Sequence, residues 1–302
     1  MRQNHDIILQ KVMETTLENS EVLGQFIPLH YHYGMLSDEA RMEAFRDAIN
    51  HAVKPGAVVV ELGGGTGVLS FFAAQKARKV FCVELNPILV DESRRFLRMN
   101  RNGDRVEVIH ADGFEYVPPE PVDVVICEML HVGLLCEKQL EVINSFKKNY
   151  QSRFESPLPV FIPLATVQAI QPVQQNFEYE EYLAPFLQFQ YPYGTHPRTT
   201  ILGDPVVYHQ LLYDYQYGLT CQWSGEVPIM AKGTLNALRF ITKNVLAMGQ
   251  ETPAIIDWHN QFLILPLESE IPVRPGQKMK ISISYPAGAP LSALRPIVEG
   301  PM

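Results

Sequence analysis

Two stretches decide the fold of this chain: Val58-Val-Val-Glu-Leu-Gly-Gly-Gly-Thr-Gly67 and Val80-Phe-Cys-Val-Glu84. The apolar start of the first predicts a buried strand, and its glycines predict a tight turn that leads into a helix. The second predicts the next strand, which ends in an acidic residue. This order indicates a parallel sheet with a ligand site at the carboxyl ends of its strands.

The spacing of the glycines limits the kind of ligand. The turn has four of them, at positions 63, 64, 65 and 67. A dinucleotide fingerprint of the form G-x-G-x-x-G also requires a glycine at the position of Val68, and a phosphate-binding P-loop requires a lysine after the turn. Both patterns are therefore excluded. An ordinary strand-to-helix turn capped by Thr66 is the alternative that needs no ligand.

A carboxylate at the end of the second strand, on Glu84, can accept hydrogen bonds from both hydroxyls of a ribose. The turn and this distal acid resemble the class I S-adenosylmethionine (SAM) methyltransferases. The resemblance implies SAM as the cofactor, with the turn facing its methionine end and the acid holding its ribose. The cofactor-binding residues that it implies in this segment are Glu61, Gly63, Gly65, Gly67 and Glu84.

The composition limits the classes of partner. The chain has 302 residues, enough for two domains or one large one, and 46% of them are hydrophobic, as in ordinary globular proteins. With 25 basic and 33 acidic residues its net charge is −8, which weighs against nucleic acid as the main partner. Four arginines lie close together on one predicted helix, and a solvated helix face accounts for them better than a basic patch does.

The cysteines and the apolar runs point to an ordinary intracellular protein. The four cysteines form no C-x-x-C pair, so we expect no structural zinc and no other metal site. No apolar run reaches membrane-spanning length, and the amino terminus is polar rather than signal-like. We therefore expect a cytoplasmic protein with neither a membrane nor a nucleic acid as partner.

The two halves of the chain have different patterns. Residues 1–155 alternate helices and strands, which predicts a Rossmann-like, doubly wound parallel sheet with helices before it. The predicted helices are 6–25, 37–53, 66–77, 87–101 and 135–149, and the predicted strands are 57–62, 80–84, 105–110 and 122–127. Residues 156–302 predict an antiparallel, β-barrel-like domain. Its clearest strands are 160–171, 206–214, 238–245, 261–267 and 278–285, and Tyr179–Pro197 is expected to leave the sheet as a loop or short arm.

Two acidic residues follow the fourth predicted strand. Glu128 stands at its carboxyl end, and Glu137 lies nine residues further along the same loop. Two carboxylates around one cleft suit a guanidinium, whose fork of N–H donors matches carboxylates bidentately. They would orient the acceptor nitrogen for an in-line methyl transfer. The alternative is structural, with one acid ending a strand and the other opening a helix.

This loop resembles the double-glutamate loop of the protein arginine N-methyltransferases, whose two glutamates have the same separation. Met35-Leu-Ser-Asp-Glu-Ala-Arg41 resembles the family's amino-terminal helix, which implies that Arg41 binds the methionine carboxylate of SAM. Phe161-Ile-Pro-Leu-Ala-Thr166 resembles the crossover into the family's β-barrel. The resemblance implies a Rossmann-like domain plus β-barrel and a homodimer, although the arm region after Gln175 is short for dimerisation.

Three places depart from the family's pattern. Asp257-Trp258 stands where the family has a His-Trp pair beside the active site, which implies a more acidic lip that still favours a cation. After the first glutamate the family often has a Trp and, two residues later, a Gly, whereas this chain has Met129 and His131. His131 is either a substrate contact or an ordinary loop histidine. The Tyr31-His-Tyr33 segment is a shortened form of the family's tyrosine motif, in which Tyr33 or Tyr31 either covers the cofactor or simply packs.

These residues together predict a SAM-dependent N-methyltransferase that acts on a guanidino group, foremost arginine in a protein or peptide. Asp112 follows the third predicted strand and either lines the adenine region, with Gly113, or caps a turn. Two alternatives stay open. One is a free small molecule as acceptor, such as free arginine or another amine, and the other is a SAM-binding scaffold without catalysis.

Overall fold

The computed structural model describes residues 29–249 and 255–300, the first two by their backbone alone, and the predicted helix over 6–25 lies outside these ranges. Helices α1 (Leu29–Ser37) and α2 (Glu39–Ala52) come first. Asp38 separates them and caps α2, because its carboxylate accepts a hydrogen bond from the backbone N–H of Arg41. The sequence predicted one helix over 37–53, so the additional helix and the break are corrections.

A parallel five-stranded sheet follows, as the alternation of helices and strands predicted. Its elements in chain order are β1 (Val58–Leu62), α3 (Val68–Ala74), β2 (Lys79–Glu84), α4 (Pro87–Arg98), β3 (Val106–His110), β4 (Val124–Cys127), α5 (Gln139–Arg153) and β5 (Val160–Ile162). The strand order is β3-β2-β1-β4-β5. The order reverses between β1 and β4, which is where doubly wound sheets place a ligand. Both of these strands are fully buried.

The second half is antiparallel, which confirms the predicted change of fold class. Its strands are β6 (Ala165–Gln175), β7 (Glu178–Tyr179), β8 (Tyr182–Leu183), β9 (Gln188–Gln190), β10 (Thr199–Ile201), β11 (Val206–Leu212), β12 (Thr220–Pro228), β13 (Gly233–Met248), β14 (Ile255–His259), β15 (Phe262–Val273), β16 (Lys278–Pro286) and β17 (Ile297–Glu299). The main sheet has the order β10-β6-β13-β15-β9, with β11 on β6 and β14 on β13. A second sheet, β12-β16-β17, shares one apolar core with it.

The crossover between the two halves differs from the prediction. One strand was predicted over 160–171, but β5 lies parallel to β4 while β6 joins the antiparallel sheet. The break between them contains a cis Ile162-Pro163 peptide. The parallel sheet therefore extends to Ile162, beyond the predicted domain boundary at 155.

The aromatic segment 179–197 only partly leaves the sheet. Strands β7 and β8 form a small hairpin of their own, whereas β9 pairs with β15 and returns the chain to the main sheet. Strands β12 and β14 were not predicted either. In the structure β12 pairs with β16, and β14 pairs with β13. Polar and small residues such as Gln222, Ser224 and Gly225 weaken the strand pattern of β12.

No helix in the described ranges is both long and apolar enough to cross a membrane. Within the same ranges, His, Cys, Asp and Glu residues form no group of three or more that is placed to hold a metal ion. All four cysteines are free thiols, and Cys82 and Cys127 are buried in strands of the parallel sheet.

Candidate active site

A cavity lies at the carboxyl ends of β1, β2 and β4, where these strands meet α1 and α2. Its wall contains the glycine turn and the start of the loop that follows β4. Six of the predicted charged site residues line it: Arg41, Glu61, Glu84, Asp112, Glu128 and Glu137. The strands of one sheet thus bring together side chains that are far apart in the sequence.

The backbone of the glycine turn requires glycine at several positions. Gly63, Gly65 and Gly67 have φ angles of +73°, +53° and +79°, in the left-handed region that side chains with a Cβ disfavour. Gly64 has an ordinary φ, but a Cβ there would overlap the sulfur of Cys82 on β2. The backbone N–H groups of Gly63 and Gly64 both donate to the carbonyl of Val83 at 2.9 Å, which ties the turn to β2.

Glu84 is held rigidly at the end of β2. One carboxylate oxygen accepts the N–H of Gly65 at 2.8 Å and the other accepts the N–H of Asn86 at 2.7 Å. Because a carboxylate offers about four lone-pair positions, it can still accept two hydroxyl donors. This arrangement fits a ribose diol beside the turn.

Glu61 lines the same cavity but is engaged elsewhere. Its carboxylate accepts the N–H of Ser70 at 2.8 Å and also the Ser70 hydroxyl, which anchors the first turn of α3. Burial raises the pKa of Glu61 to about 8, against the opposing effect of these hydrogen bonds. Its direct contact with the cofactor stays a prediction.

Arg41 and Glu128 form an ion pair inside the cavity, and only 7% and 11% of their side chains are exposed. Glu137 lines the same cavity. Burial, and then the charge of Glu128, raise its pKa to about 8, while Arg41 opposes the rise. A guanidinium already lies against Glu128, and a second carboxylate is within its field. Arg41, Glu128 and Glu137 therefore form one group of interacting charges in the cavity.

The loop that carries the two glutamates is fixed by a buried glutamine. Gln139, at the start of α5, donates to the carbonyl of Cys127 at 2.7 Å and accepts the N–H of Met129 at 2.8 Å. These two backbone groups flank Glu128. Gln139 thus fixes the backbone on either side of the first glutamate.

The antiparallel half also holds this loop, at two points. Asn260 donates to the carbonyl of Leu130 at 2.8 Å. The hydroxyl of Thr242 accepts the N–H of Gly133 at 2.8 Å, and the hydroxyl of Tyr285 donates to the Gly133 carbonyl at 2.9 Å. The position of the loop therefore depends on the second sheet domain as well as on the first.

The remaining predicted residues lie in different places. Met129 lines the cavity, and so does Asp112, whose carboxylate accepts the N–H of Phe114 at 2.9 Å as a turn cap. His131 is partly buried and its ring meets Phe189 edge-on, with centroids 5.8 Å apart. Tyr33 is 76% exposed. Tyr33 and His131 are not among the residues that line the cavity, so their roles stay predictions.

Asp257 and Trp258 lie on β14, outside the cavity lining. Asp257 pairs with Lys243 of the neighbouring strand at 2.8 Å. Trp258 is buried, and its ring lies 6.1 Å from that of Phe45 on α2. Its observed contact is thus core packing between the two halves, and substrate contact by either residue stays a prediction.

Sequence reasoning missed His32. It lines the cavity on the same side of α1 as Met35 and Leu36, whereas the neighbouring tyrosines are exposed. The spacing of these three positions, i, i+3 and i+4, is the periodic signal of one helix face. This segment lies between the predicted helices 6–25 and 37–53, so its helical face was not among the predictions.

Comparisons with known proteins agree with this geometry. Residues 59–149 match the family model of a methyltransferase domain. An uncharacterized protein of Methanothermobacter thermautotrophicus is 30% identical over 87% of this chain and 95% of its own length. Protein arginine N-methyltransferase 6 of Danio rerio is 32% identical, over 44% of this chain and 39% of its own length.

The fold also matches a solved structure along most of the chain. The structure is the PRMT1 enzyme–prozyme heterotetrameric complex of Trypanosoma brucei with AdoHcy, at a TM-score of 0.70 and 16% identity. The match covers 89% of this chain and 96% of the other. The Arg41 guanidinium, the Glu84 carboxylate and the glycines of the turn, which lack a Cβ, line one cavity and fit a ligand that carries both a carboxylate and a ribose. Residues 59–149 therefore carry a class I S-adenosylmethionine-dependent methyltransferase domain, with S-adenosylmethionine as its cofactor, and the chain resembles the protein arginine methyltransferases.

Proposed function

We propose that this chain methylates a guanidino nitrogen, with arginine in a protein or peptide as the acceptor. The observation that carries the proposal is the pair of carboxylates, Glu128 and Glu137, that line one cavity with the cofactor residues. The ion pair between Glu128 and Arg41 supports it, since that carboxylate is placed to receive a guanidinium. A scaffold that only binds SAM has no need for this pair.

In the proposed reaction, Glu128 and Glu137 bind the acceptor guanidinium and aim one nitrogen at the methyl group. SAM supplies that methyl group as a sulfonium. The carboxylates also offset the repulsion between a cationic acceptor and a cationic donor. The methylated nitrogen must then lose a proton, and Glu137, with its pKa raised to about 8, is suited to accept it.

The raised pKa of Glu137 makes the activity dependent on pH. The carboxyl group is neutral below its pKa of about 8 in the free enzyme, and only the ionised form attracts a guanidinium. We expect kcat/KM to rise by about tenfold per pH unit below that pKa and to level off above it, since the guanidinium itself does not titrate there. Initial rates between about pH 6 and about pH 9 measure this. A flat profile would contradict the role of Glu137, and E137Q removes the dependence.

A second candidate acceptor, a free small guanidine, is favoured by the segment around β9. Phe189 packs against His131 of the glutamate loop, and the ring of Tyr193 meets His259 of β14 at a centroid distance of 6.4 Å. Burial, and then the charges of Asp257 and Asp38, raise the pKa of Tyr193. This segment thus contacts both the glutamate loop and β14. An acceptor site bounded by it would favour a small acceptor.

One experiment separates the two acceptors. The protein is incubated with methyl-labelled SAM and whole-cell extract, and the products are divided into protein and small-molecule fractions. Label in protein, recovered as methylarginine after hydrolysis, supports the first candidate, and label confined to small molecules contradicts it. Label in neither fraction, together with measurable SAM binding, would favour the non-catalytic scaffold.

A homodimer and a cytoplasmic location are also part of this proposal. The Trypanosoma brucei neighbour is a heterotetrameric complex. In this chain, large apolar side chains around the β7–β8 hairpin are exposed, among them Tyr182, Leu183 and Phe186. Such an exposed apolar patch is typical of an interface between protein chains.

A further inference from the structure

Three residues in the loop between the two glutamates have a left-handed backbone. Gly133, Leu134 and Cys136 have φ angles of +70°, +55° and +64°. Glycine adopts such angles freely, whereas the Cβ of leucine or cysteine makes them unfavourable. Residues with a side chain persist in this region only where the surrounding structure imposes the conformation. The hydrogen bonds of these three residues therefore show what holds the loop.

One segment of the antiparallel half forms hydrogen bonds with all three. It consists of residues 285–289, at the end of β16 and directly after it, and we call it the β16 turn. The hydroxyl of Tyr285 donates to the carbonyl of Gly133 at 2.9 Å. Two backbone hydrogen bonds, each of 2.8 Å, join the β16 turn to the other two residues: the N–H of Gly288 donates to the carbonyl of Leu134, and the N–H of Cys136 donates to the carbonyl of Ala289. The β16 turn thus reaches every left-handed residue of the loop.

The conformation of Cys136 sets the direction in which the chain enters Glu137. The N–H of Glu137 donates to the carbonyl of Leu135 at 2.7 Å, which closes a three-residue turn around Cys136. Glu137 follows directly and lines the cavity. Glu128 has a support of its own, since Gln139 bonds to the backbone on either side of it. A change in the β16 turn is therefore expected to displace the second glutamate rather than the first.

Gly288 brings the β16 turn against the other side of Glu137 as well. Its φ angle is +71°, and a Cβ there would come within 2.7 Å of the Glu141 carboxylate and 3.0 Å of the Lys138 side chain. Lys138 is the N-cap of α5, and Glu141 lies in the first turn of that helix. The β16 turn thus contacts the chain immediately before and shortly after the second glutamate.

We propose that Tyr285 is a positioning residue for Glu137: together with the rest of the β16 turn, it holds the loop in its left-handed conformation and so places the second carboxylate in the cavity. This inference rests on the proposed function, in which Glu137 binds the acceptor guanidinium. Tyr285 is not among the described residues that line the cavity, so it acts through Glu137 rather than on the substrates.

The first test compares Y285F with Y208F. The two hydroxyls are buried and hydrogen-bond each other at 3.0 Å, but it is the hydroxyl of Tyr285 that bonds to the loop. We expect Y285F to lower the maximal rate of label transfer from methyl-labelled SAM to whole-cell extract by about tenfold, with the KM for SAM within about twofold of the wild type.

Y208F is the matched control, because it removes one hydroxyl of the same pair and leaves the bond to Gly133. It should keep both constants within about twofold of the wild type. The double variant Y208F/Y285F, which has no orphaned Tyr208 hydroxyl, should be as slow as Y285F. If Y208F is as slow as Y285F, the hydroxyl pair supports the core alone and the proposal is wrong.

A double-mutant cycle shows whether Tyr285 acts through Glu137. Y285F should lower the rate of E137Q by no more than about twofold, since the carboxylate that it positions is already absent. If the two losses multiply, Tyr285 acts on another group and the proposal is overturned.

Amide hydrogen exchange of residues 133–138, measured relative to the amides of β1, reports on the loop without an acceptor. Y285F should speed this exchange by about three- to tenfold, and Y208F should leave the ratio as in the wild type. G288A should speed it too and decides if Y285F does not fold. Its control is G276A, which has an equally left-handed φ of +91° but no atom within 4 Å of the new Cβ.

The exchange experiment separates this proposal from the proposed function. If Y285F and G288A both leave the exchange ratio of the loop unchanged, the β16 turn does not hold the loop, whatever E137Q does to the rate. If the exchange rises as expected while E137Q methylates as fast as the wild type, the β16 turn positions Glu137 but the proposed role of Glu137 in binding the guanidinium is wrong.

Discussion

Replacing Glu128 with Gln is expected to lower kcat for methyl transfer by about 10²- to 10³-fold, while the Kd for SAM stays within about threefold of the wild type. The amide has the shape of the carboxylate but lacks its charge and its second acceptor oxygen, so it cannot accept a guanidinium bidentately. Glu128 pairs with Arg41 in the structure, so its loss leaves that guanidinium free for the cofactor carboxylate. Steady-state rates and calorimetric SAM binding measure the two effects separately.

The matched control for E128Q is E120Q. Glu120 is partly exposed and also pairs with an arginine, Arg78, but it lies outside the cavity. We expect E120Q to retain wild-type turnover, since exposed ion pairs contribute little. If E128Q lost SAM affinity and turnover in equal proportion, Glu128 would be a structural partner of Arg41, and the proposed guanidinium clamp would be rejected.

The sequence was sufficient for the parallel half of the fold because its signals are local. The apolar strands, the glycine turn and the distal acid all fall within residues 58–84. The structure shows why the turn needs glycine, since three of its residues have a positive φ angle. The antiparallel half was less predictable. Strand β12 has only a weak alternation of apolar and polar residues. The division of residues 160–171 between two sheets depends on the strands with which they pair, and these lie elsewhere in the chain.

The residues that hold the glutamate loop in place were not predictable either, because their contacts depend on the folded chain rather than on a local pattern. Asn260 reaches a carbonyl that is 130 positions away in the sequence, and neither residue shows a local pattern that indicates the contact. Gln139 is recognisable only when the loop backbone that it holds is known. The position of His32 could have been predicted, because His32, Met35 and Leu36 have the spacing of one helix face.

The acidic lip illustrates a limit of reading charge from the sequence. Asp257 in place of a histidine implied a more acidic edge beside the site. In the structure Lys243 pairs with this carboxylate at 2.8 Å, so much of its charge is compensated within the antiparallel sheet. In the proposed reaction, the attraction for a cationic acceptor therefore rests on Glu128 and Glu137 rather than on this lip.

The glycine turn depends on Gly64 as strictly as on the glycines with positive φ, and G64A tests this. A methyl group at Gly64 would overlap the sulfur of Cys82, which is fully buried on β2 and held by the β1–β2 ladder. Because neither strand can move away, we expect G64A to lower the free energy of unfolding by about 2–3 kcal/mol and to abolish SAM binding. Urea denaturation and calorimetry measure the two losses.

The double variant G64A/C82A separates this overlap from a general intolerance of the turn. Removing the sulfur leaves room for the new methyl group, so the double variant should be more stable than G64A, although C82A alone costs about 1 kcal/mol. G218A is the control, since a Cβ on Gly218 meets no atom within 4 Å, and we expect it to stay within about 0.5 kcal/mol of the wild type. Equal stability of G64A and the wild type would show that the turn adjusts to a side chain. If G64A and G64A/C82A were equally unstable, the cause would lie in the backbone of the turn rather than in its contact with β2.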